Sequence, residues 1–590
     1  MGLAAGEMQR PRSLALIALL SFASLALFGF GPCSRGGSAS SSSSRPTAPS
    51  TGNELPGTPQ HRLSPADARA AVASAMTEYK KGASKDCKKV VKGLVSGLPD
   101  DVTSDDEPAF VALADCAQQA KRYSLMREAT VRVMRFDKNF AHPAYLPEAE
   151  IGLGYYDRAL TDVDRLLRAR PKDPELSYAR GLVPCKQMVW PDCLRGMNDA
   201  VKLAHIAKMQ DEKTFEGNAD VHRADSMMHM GQVPQAQATI DAAAKLGGDA
   251  NDVAGIRKDL VPAKQAKVVV DEFHQSEIPL GNYHLYGKAK SAGVPAQIWV
   301  YNIGPKDRQF RVEAEIVGVT DKFSTTVTVL KGGVETVPLV PPLRSTFDVK
   351  AQRSEMPTQL HVKVTGLDAG KENVAYDESD EVKVLPRDSL LLAVHVDEDA
   401  IRPIDDYMGA WVTPNAKAVD EFLKAAKKRA PQETFAGTQT ATLPQVQAIY
   451  DELHDRGVSY VMDPEVVSET VFAQRTRLPS DVLASQNAQC LEGAILFATL
   501  MEAIGLDPVI VRIPGHAFVG WHTARDPVAD GTRMYVETTM VHTANFADAV
   551  KFAKQEVDHQ ESLSHFDEGI SRLIEVKELR ARGITPQPWD

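Results

Sequence analysis

No Gly-x-Ser-x-Gly elbow, phosphate-cradling glycine loop or dinucleotide fingerprint occurs in this 590-residue chain. Their absence removes the common serine-hydrolase and nucleotide chemistries. Neither Cys-x-x-Cys nor His-Glu-x-x-His spacing is present, so His516, His522 and His542 have no zinc motif around them, and no metal or organic cofactor is expected. Lysine and arginine form no stripe with interleaved aromatics and the formal charge is −11, which argues against nucleic acid as a partner. Cysteine is scarce, at six.

What is present reads as a multidomain protein. The chain is too long for one hydrophobic core, and its apolar, charged and glycine/proline contents are those of globular chains. Arg10 and Arg12 precede an apolar run from Leu14 to Phe30, the order of a secretory signal. An uncleaved membrane anchor is the alternative, the run being on the short side for a spanning helix. Cys33 follows and opens a Ser/Gly/Pro-rich stretch. Residues 1–33 resemble a bacterial lipoprotein signal and 34–63 a flexible tether, although Phe30, Gly31 and Pro32 replace the usual residues before the lipidated cysteine. The expectation is an exported protein of the bacterial envelope, periplasmic or membrane-attached through the N-terminus. Lipidation of Cys33 stands beside simple cleavage or a retained anchor.

Residues 64–264 carry Ala-rich amphipathic helical runs broken by Pro, Gly and Asp clusters. Tyr123 and Tyr156, Arg132 and Arg165, Val133 and Leu166, and Tyr145 and Tyr178 recur at a spacing of 33. Leu153 to Gly181 resembles a tetratricopeptide unit, with its aromatic start, its alanine at the close helix contact and Pro171-x-x-Pro174 between hairpins; Met228 to Leu246 resembles a degenerate one. The resemblance implies an α-helical solenoid with a groove for a protein partner; a helical spacer is the blander reading.

Near Ala266 the pattern turns to alternation. Val268–Phe273, Ala296–Tyr301, Phe310–Val317, Ser324–Leu330, Gln359–Val364 and Glu381–Val384 are expected strands. Their number over residues 265–385 suggests an all-β immunoglobulin-like sandwich that orients its neighbours.

Residues 386–590 hold the chemistry. Cys490 begins an apolar helix that ends at Gly505, so it sits where free amides and the helix dipole favour a thiolate and can hold an oxyanion. Pro514-Gly515 turns a strand, Val509–Ile513, into another that starts at His516, and a third expected strand, Met534–Thr538, carries Glu537. That order suits a Cys–His–acid relay. AQCLEGA, GHAFVGW and YVETT resemble the Cys, His and acid motifs of the transglutaminase-like superfamily, over about Trp411 to Thr539. The resemblance implies a papain-like α+β fold and thioester chemistry on a protein or peptide amide, with Cys490, His516 and Glu537 catalytic; hydrolysis is favoured over cross-linking because nothing in the chain advertises an amine-donor site. Asp526 or Asp530 is an alternative acid, and Gln474 a candidate side-chain donor to the oxyanion. The segment after Phe546 is a candidate cover for Cys490. The competing function is a non-enzymatic envelope scaffold with an inactive transglutaminase-like domain. Cys87 with Cys116 and Cys185 with Cys193 are natural disulfide pairs by proximity; small buried hydrophobes are the alternative.

Overall fold

The computed structural model describes residues 77, 107–137, 140–289, 293–368, 371–395, 401–461, 466–467, 471–526, 532–563, 565–566 and 571–590. Residues 1–63, where a signal, Cys33 and a tether are expected, lie outside the described residues, as do Cys87 and Asp530. Among those described, no helix is long and apolar enough to cross a membrane.

The N-terminal unit is an array of helical hairpins: α1 Glu107–Gln119, α2 Tyr123–Phe136, α3 Tyr145–Gly152, α4 Tyr156–Ala169, α5 Pro174–Lys186, α6 Trp190–Ala207, α7 Glu212–His229, α8 Val233–Leu246 and α9 Ala250–Gln265. The repeat spacing has a packing cause. Tyr123 and Tyr156 each open the second helix of a hairpin, and the Tyr123 ring lies so close to Gly152 that a Cβ there would meet it at 2.3 Å. Asp173 accepts from the Leu176 amide at 3.1 Å and Pro174 follows, so α5 starts with a cap and a preset φ. Helices α5 and α6 cross backbone on backbone, since a Cβ on Gly181 would stand 2.8 Å from the Gly196 carbonyl carbon. A Cys185–Cys193 disulfide closes the same hairpin.

A β-sandwich follows. One sheet has the order β1–β3–β6, formed by β1 Val268–His274, β3 Ala296–Asn302 and β6 Val334–Leu339. The other has the order β2–β8–β7–β4–β5, from β2 Glu277–Pro279, β4 Arg308–Ile316, β5 Phe323–Val329, β7 Met356–Asp368 and β8 Lys371–Leu385. Val268, Ile298 and Val300 of the first meet Phe310, Val312, Leu360 and Val382 of the second in one core. The β7–β8 hairpin is much longer than the two short runs expected there. The apolar clusters at Gln359–Val364 and Glu381–Val384 mark only its inward-facing portion, whereas the ladder extends through polar residues from Met356↔Val384 to Asp368↔Lys371.

Helices and sandwich share a buried joint. Val221, Met228 and Ile240 of the helices pack with Val269 and Tyr301 of the sandwich. Within the joint the His229 ring stacks on Trp190 at 3.9 Å and meets Tyr301 edge-on at 4.6 Å. Its Nδ1 faces Asp225 at 3.0 Å and its Nε2 faces Asp271 of β1 at 3.1 Å. Burial alone would neutralise this ring, but hydrogen bonds to the two carboxylates push its pKa up to about 10.

The C-terminal unit is α+β. Its axis is α13, Cys490–Ala503, in which each residue from Cys490 to Met501 is buried. Helices α10 Lys417–Ala426, α11 Leu443–Asp455 and α12 Pro479–Ser485 precede it. Side chains such as Ile495, Phe497 and Leu500 contribute roughly 1.5–3 kcal/mol each by leaving water. One face of α13 packs on an antiparallel sheet of order β17–β16–β15–β18, made by β15 Pro508–Ile513, β16 His516–His522, β17 Arg533–Val536 and β18 Arg572–Glu575. A second sheet has the order β10–β9–β13–β12, from β9 Ser389–His395, β10 Ile401–Pro403, β12 Val466–Val467 and β13 Val471–Arg475. Strands β11, Ser459–Tyr460, and β14, Asn487–Ala488, pair in parallel just before Cys490. The segment after Phe546 opens with α14, Phe546–Ser562. Ala553 and Val557 pack on Val511, Phe518 and Tyr535, whereas Ile510 and Val519, alternating with them along the strands, face the α13 side. The last residues return to the domain boundary, where Arg387 Nη1 donates to the Trp589 carbonyl at 3.2 Å.

Candidate active site

The site is assembled at the N-terminus of α13. Gln489 and Glu492 form a capping box, the Glu492 carboxylate accepting from the Gln489 amide at 3.1 Å. Glu492 is fully buried and is held by Arg477, whose Nε and Nη2 donate at 2.9 and 2.7 Å and whose backbone amide donates at 2.7 Å. A carboxylate at this end of a helix also meets the positive pole of the dipole. Two turns of the chain are thereby locked around Cys490.

Gln474, on β13, donates through Nε2 to Gln489 Oε1. Gln489 Nε2 in turn donates to the Arg475 carbonyl at 2.6 Å. Gln474 thus reaches the residue next to Cys490, and its amide is engaged in the capping network.

His516 opens β16, which packs against α13. Its Nε2 lies 2.7 Å from Glu537 Oε2. Glu537 is 1 % exposed, and its other oxygen accepts from Thr539 N at 2.9 Å and Thr539 Oγ1 at 2.7 Å. Glu537 stands just past the end of β17, capping a short helical turn, and not inside a strand as expected from the sequence. The turn redirects its backbone and lets one carboxylate serve both ring and turn. Asp526, the alternative acid, is committed elsewhere: it accepts from Thr442 Oγ1, Thr442 N and Leu443 N at the start of α11.

Acid and helix meet closely, because a Cβ on Gly493 would come within 2.9 Å of Thr538 Oγ1. Beside this contact is a recess lined by Tyr460, Gln489, Gly493, Phe497, Thr538 and Thr539, with room for about one water. The hydroxyls of Tyr460 and Thr538 are buried there without a hydrogen-bond partner among the described residues. Burial, then the charge of Glu537, pushes the Tyr460 phenol up to about 12. Neither residue is identifiable from the sequence as part of the site; Tyr460 reaches it only because Tyr460 and Ala488 are strand partners.

Cys490, the candidate nucleophile, is the first residue of α13. It is 2 % exposed and disulfide-bonded, and its partner is not among the described residues. Cys116 is also disulfide-bonded. A helix dipole can activate a thiol only once the sulfur carries a proton to lose.

The His522 Nε2 pairs with Glu575 at 2.8 Å. Among the described residues, Glu272, His274 and Asp380 in the sandwich bring their ligand atoms within 4.8 Å of one another. That cluster has internal partners: Tyr376 Oη donates to Glu272 at 2.6 Å and His274 Nδ1 lies 3.3 Å from the same carboxylate.

No protein-family model and no curated protein matches the chain. Among solved structures it is similar to a tetratricopeptide repeat protein from Parabacteroides merdae, with 15 % identity and a TM-score of 0.22 over 34 % of this chain and 88 % of that one. The helical-repeat description rests on the hairpins themselves.

Proposed function

We propose that the C-terminal unit is a transglutaminase-like thiol domain with a papain-like fold, and that the protein hydrolyses or transfers the acyl group of an amide in a protein or peptide. The observation that carries this reading is the 2.7 Å contact of His516 Nε2, on the second strand after the Cys490 helix, with the buried Glu537 carboxylate. It leaves Nδ1 as the nitrogen for proton exchange with Cys490.

The chemistry begins with reduction. A dithiol opens the Cys490 disulfide, releasing the Cys490 thiol and its partner thiol while the reductant becomes a disulfide. His516 then takes the thiol proton, and the thiolate adds to the amide carbonyl. The amides at the start of α13 hold the oxyanion. Collapse breaks the C–N bond, and His516 returns its proton to the departing amine. Water, deprotonated by the same ring, cleaves the thioester to an acid and restores the thiol. No metal or organic cofactor is required.

In this reading the tetratricopeptide-like helices recruit a protein partner and the immunoglobulin-like sandwich orients the thiol domain. The protein works exported, in the bacterial envelope; the Cys185–Cys193 disulfide supports an oxidising compartment. A second reading, a non-enzymatic scaffold, is favoured by the burial and disulfide of Cys490. Iodoacetamide labelling of Cys490 across pH separates them, with and without a phosphine reductant, in wild type and His516→Ala. Fast labelling below the ~8.5 of a free thiol, dependent on reduction and lost in the variant, supports the enzyme. Ordinary slow labelling in both reduced proteins sinks it.

A further inference from the structure

We infer that Glu272, His274 and Asp380 bind one divalent metal ion of the zinc type, which clips the two sheets of the sandwich together at their edges. The site uses none of the residues of the thiol reading and does not depend on it.

The placement of these side chains is the first observation. Strand β1 is an edge strand of its sheet, and among the described residues β8 pairs with a second neighbour, β2, only from Lys383 onward. Val268 and Val270 of β1 and Tyr376, Val382 and Val384 of β8 face the shared core. By the period of two, Glu272 and His274 therefore point inward from one sheet and Asp380 from the other. One inward charge is enough to guard an edge strand against pairing; an imidazole and two carboxylates brought to one point go beyond that purpose. Their ligand atoms all lie within 4.8 Å of one another.

The second observation is an oxygen left without a donor. The Glu272 side chain is 7 % exposed, and its Oε1 is buried with no hydrogen bond among the described residues. His274 Nδ1 stands 3.3 Å from that oxygen. Two ligands that each sit ~2.1 Å from a tetrahedral ion are roughly 3.4 Å apart, so the pair already has the bite of a metal site. Oε2, the other oxygen, accepts from Tyr376 Oη at 2.6 Å, the outer hydrogen bond that aims a ligating carboxylate. The Asp380 carboxylate has no hydrogen-bond or ion-pair partner among the described residues, and is thus free to close the third position. Lys258 of α9, which feels the Asp380 charge, is paired with Glu378 at 2.9 Å.

A nitrogen with two oxygens favours a zinc-type ion over Mg2+ or Ca2+, whose shells are oxygen alone. Three protein ligands leave the fourth position to water. Because β1 and β8 belong to different sheets, the ion cross-links them, and residues 265–385 contain no cysteine with which a disulfide could do so.

The test is calorimetric titration of the chelator-treated full chain with Zn2+. One ion binds per chain, equimolar Mg2+ does not displace it, and affinity falls about tenfold or more in H274Q and in D380N. H361Q, which alters a His–Asp pair on the outer face of the same five-stranded sheet, leaves it unchanged. No binding of Zn2+, wild-type affinity in H274Q and D380N, equal loss in H361Q, or displacement by Mg2+ overturns the inference. Should H274Q and D380N misfold by circular dichroism, zinc-edge X-ray absorption of the wild type decides: a nitrogen and oxygen shell with one imidazole supports the site, and sulfur or several imidazoles overturn it.

Discussion

Replacing His229 by Gln tests whether a buried imidazolium clamps the helical array to the sandwich. The folded pKa lies near 10 against 6.5 for the free ring, so the stabilisation is fully present below 6.5 and is lost as pH rises through 10. Between those limits the wild type loses roughly 1.4 kcal/mol per pH unit, on the order of 5 kcal/mol across the window. The neighbouring Asp259 and Tyr301 titrate outside that window. Asp225 and Asp271 are its ion-pair partners, Asp259 is held up to about 6 by burial and by those same two charges, and burial moves the Tyr301 phenol above its usual range. Urea unfolding of wild type and His229→Gln from about pH 7 to about pH 10 should show the difference between them shrinking steadily. Trp190, stacked on the ring, reports the charge directly, since an imidazolium quenches indole emission and a neutral ring does so far less. A difference that stays constant with pH, or grows, would refute the trapped charge.

Three further outcomes follow from particular contacts. Glu537→Gln should lower the alkylation rate of reduced Cys490 near neutral pH by about tenfold or more, because the ring loses the carboxylate that sets its tautomer; an unchanged rate would separate Glu537 from the thiol. Gly181→Val should cost roughly 1–3 kcal/mol and lower the melting temperature of the helical unit, since the backbone of Gly196 cannot yield as a side-chain tip would; a neutral result would mean a looser crossing. Tyr460→Phe should leave stability unchanged or raise it, because the hydroxyl is buried without a partner among the described residues; a loss above about 1 kcal/mol would reveal one.

Much of the architecture was legible because it is periodic. The 33-residue recurrence of Tyr123 and Tyr156 survives as the same step in two hairpins, and the switch near Ala266 coincides with the end of α9 and the start of β1. The polar ends of β7 and β8 were not legible, as their ladder is backbone hydrogen bonding that side-chain alternation does not report. In the candidate site the helix start at Cys490 and the turn after Gly505, whose φ is +79°, follow from local residue types. Asp526 illustrates the converse: it resembles a spare acid in sequence, yet three donors at the start of α11, from residues more than eighty positions earlier, claim both its oxygens.

Local chemistry in the sequence determined where helices begin and end, where the period changes, and that a cysteine at a helix start is followed by a histidine on a strand and then by a carboxylate. Only the tertiary structure decided which carboxylate meets the histidine, that Gln474 ends on the capping residue, that Tyr460 and Thr538 share a recess, and that the cysteine is buried in a disulfide. Those outcomes depend on pairings between segments distant along the chain. Their energies come from burial and geometry that exist only after strands and helices have packed, so no local pattern of residues encodes them.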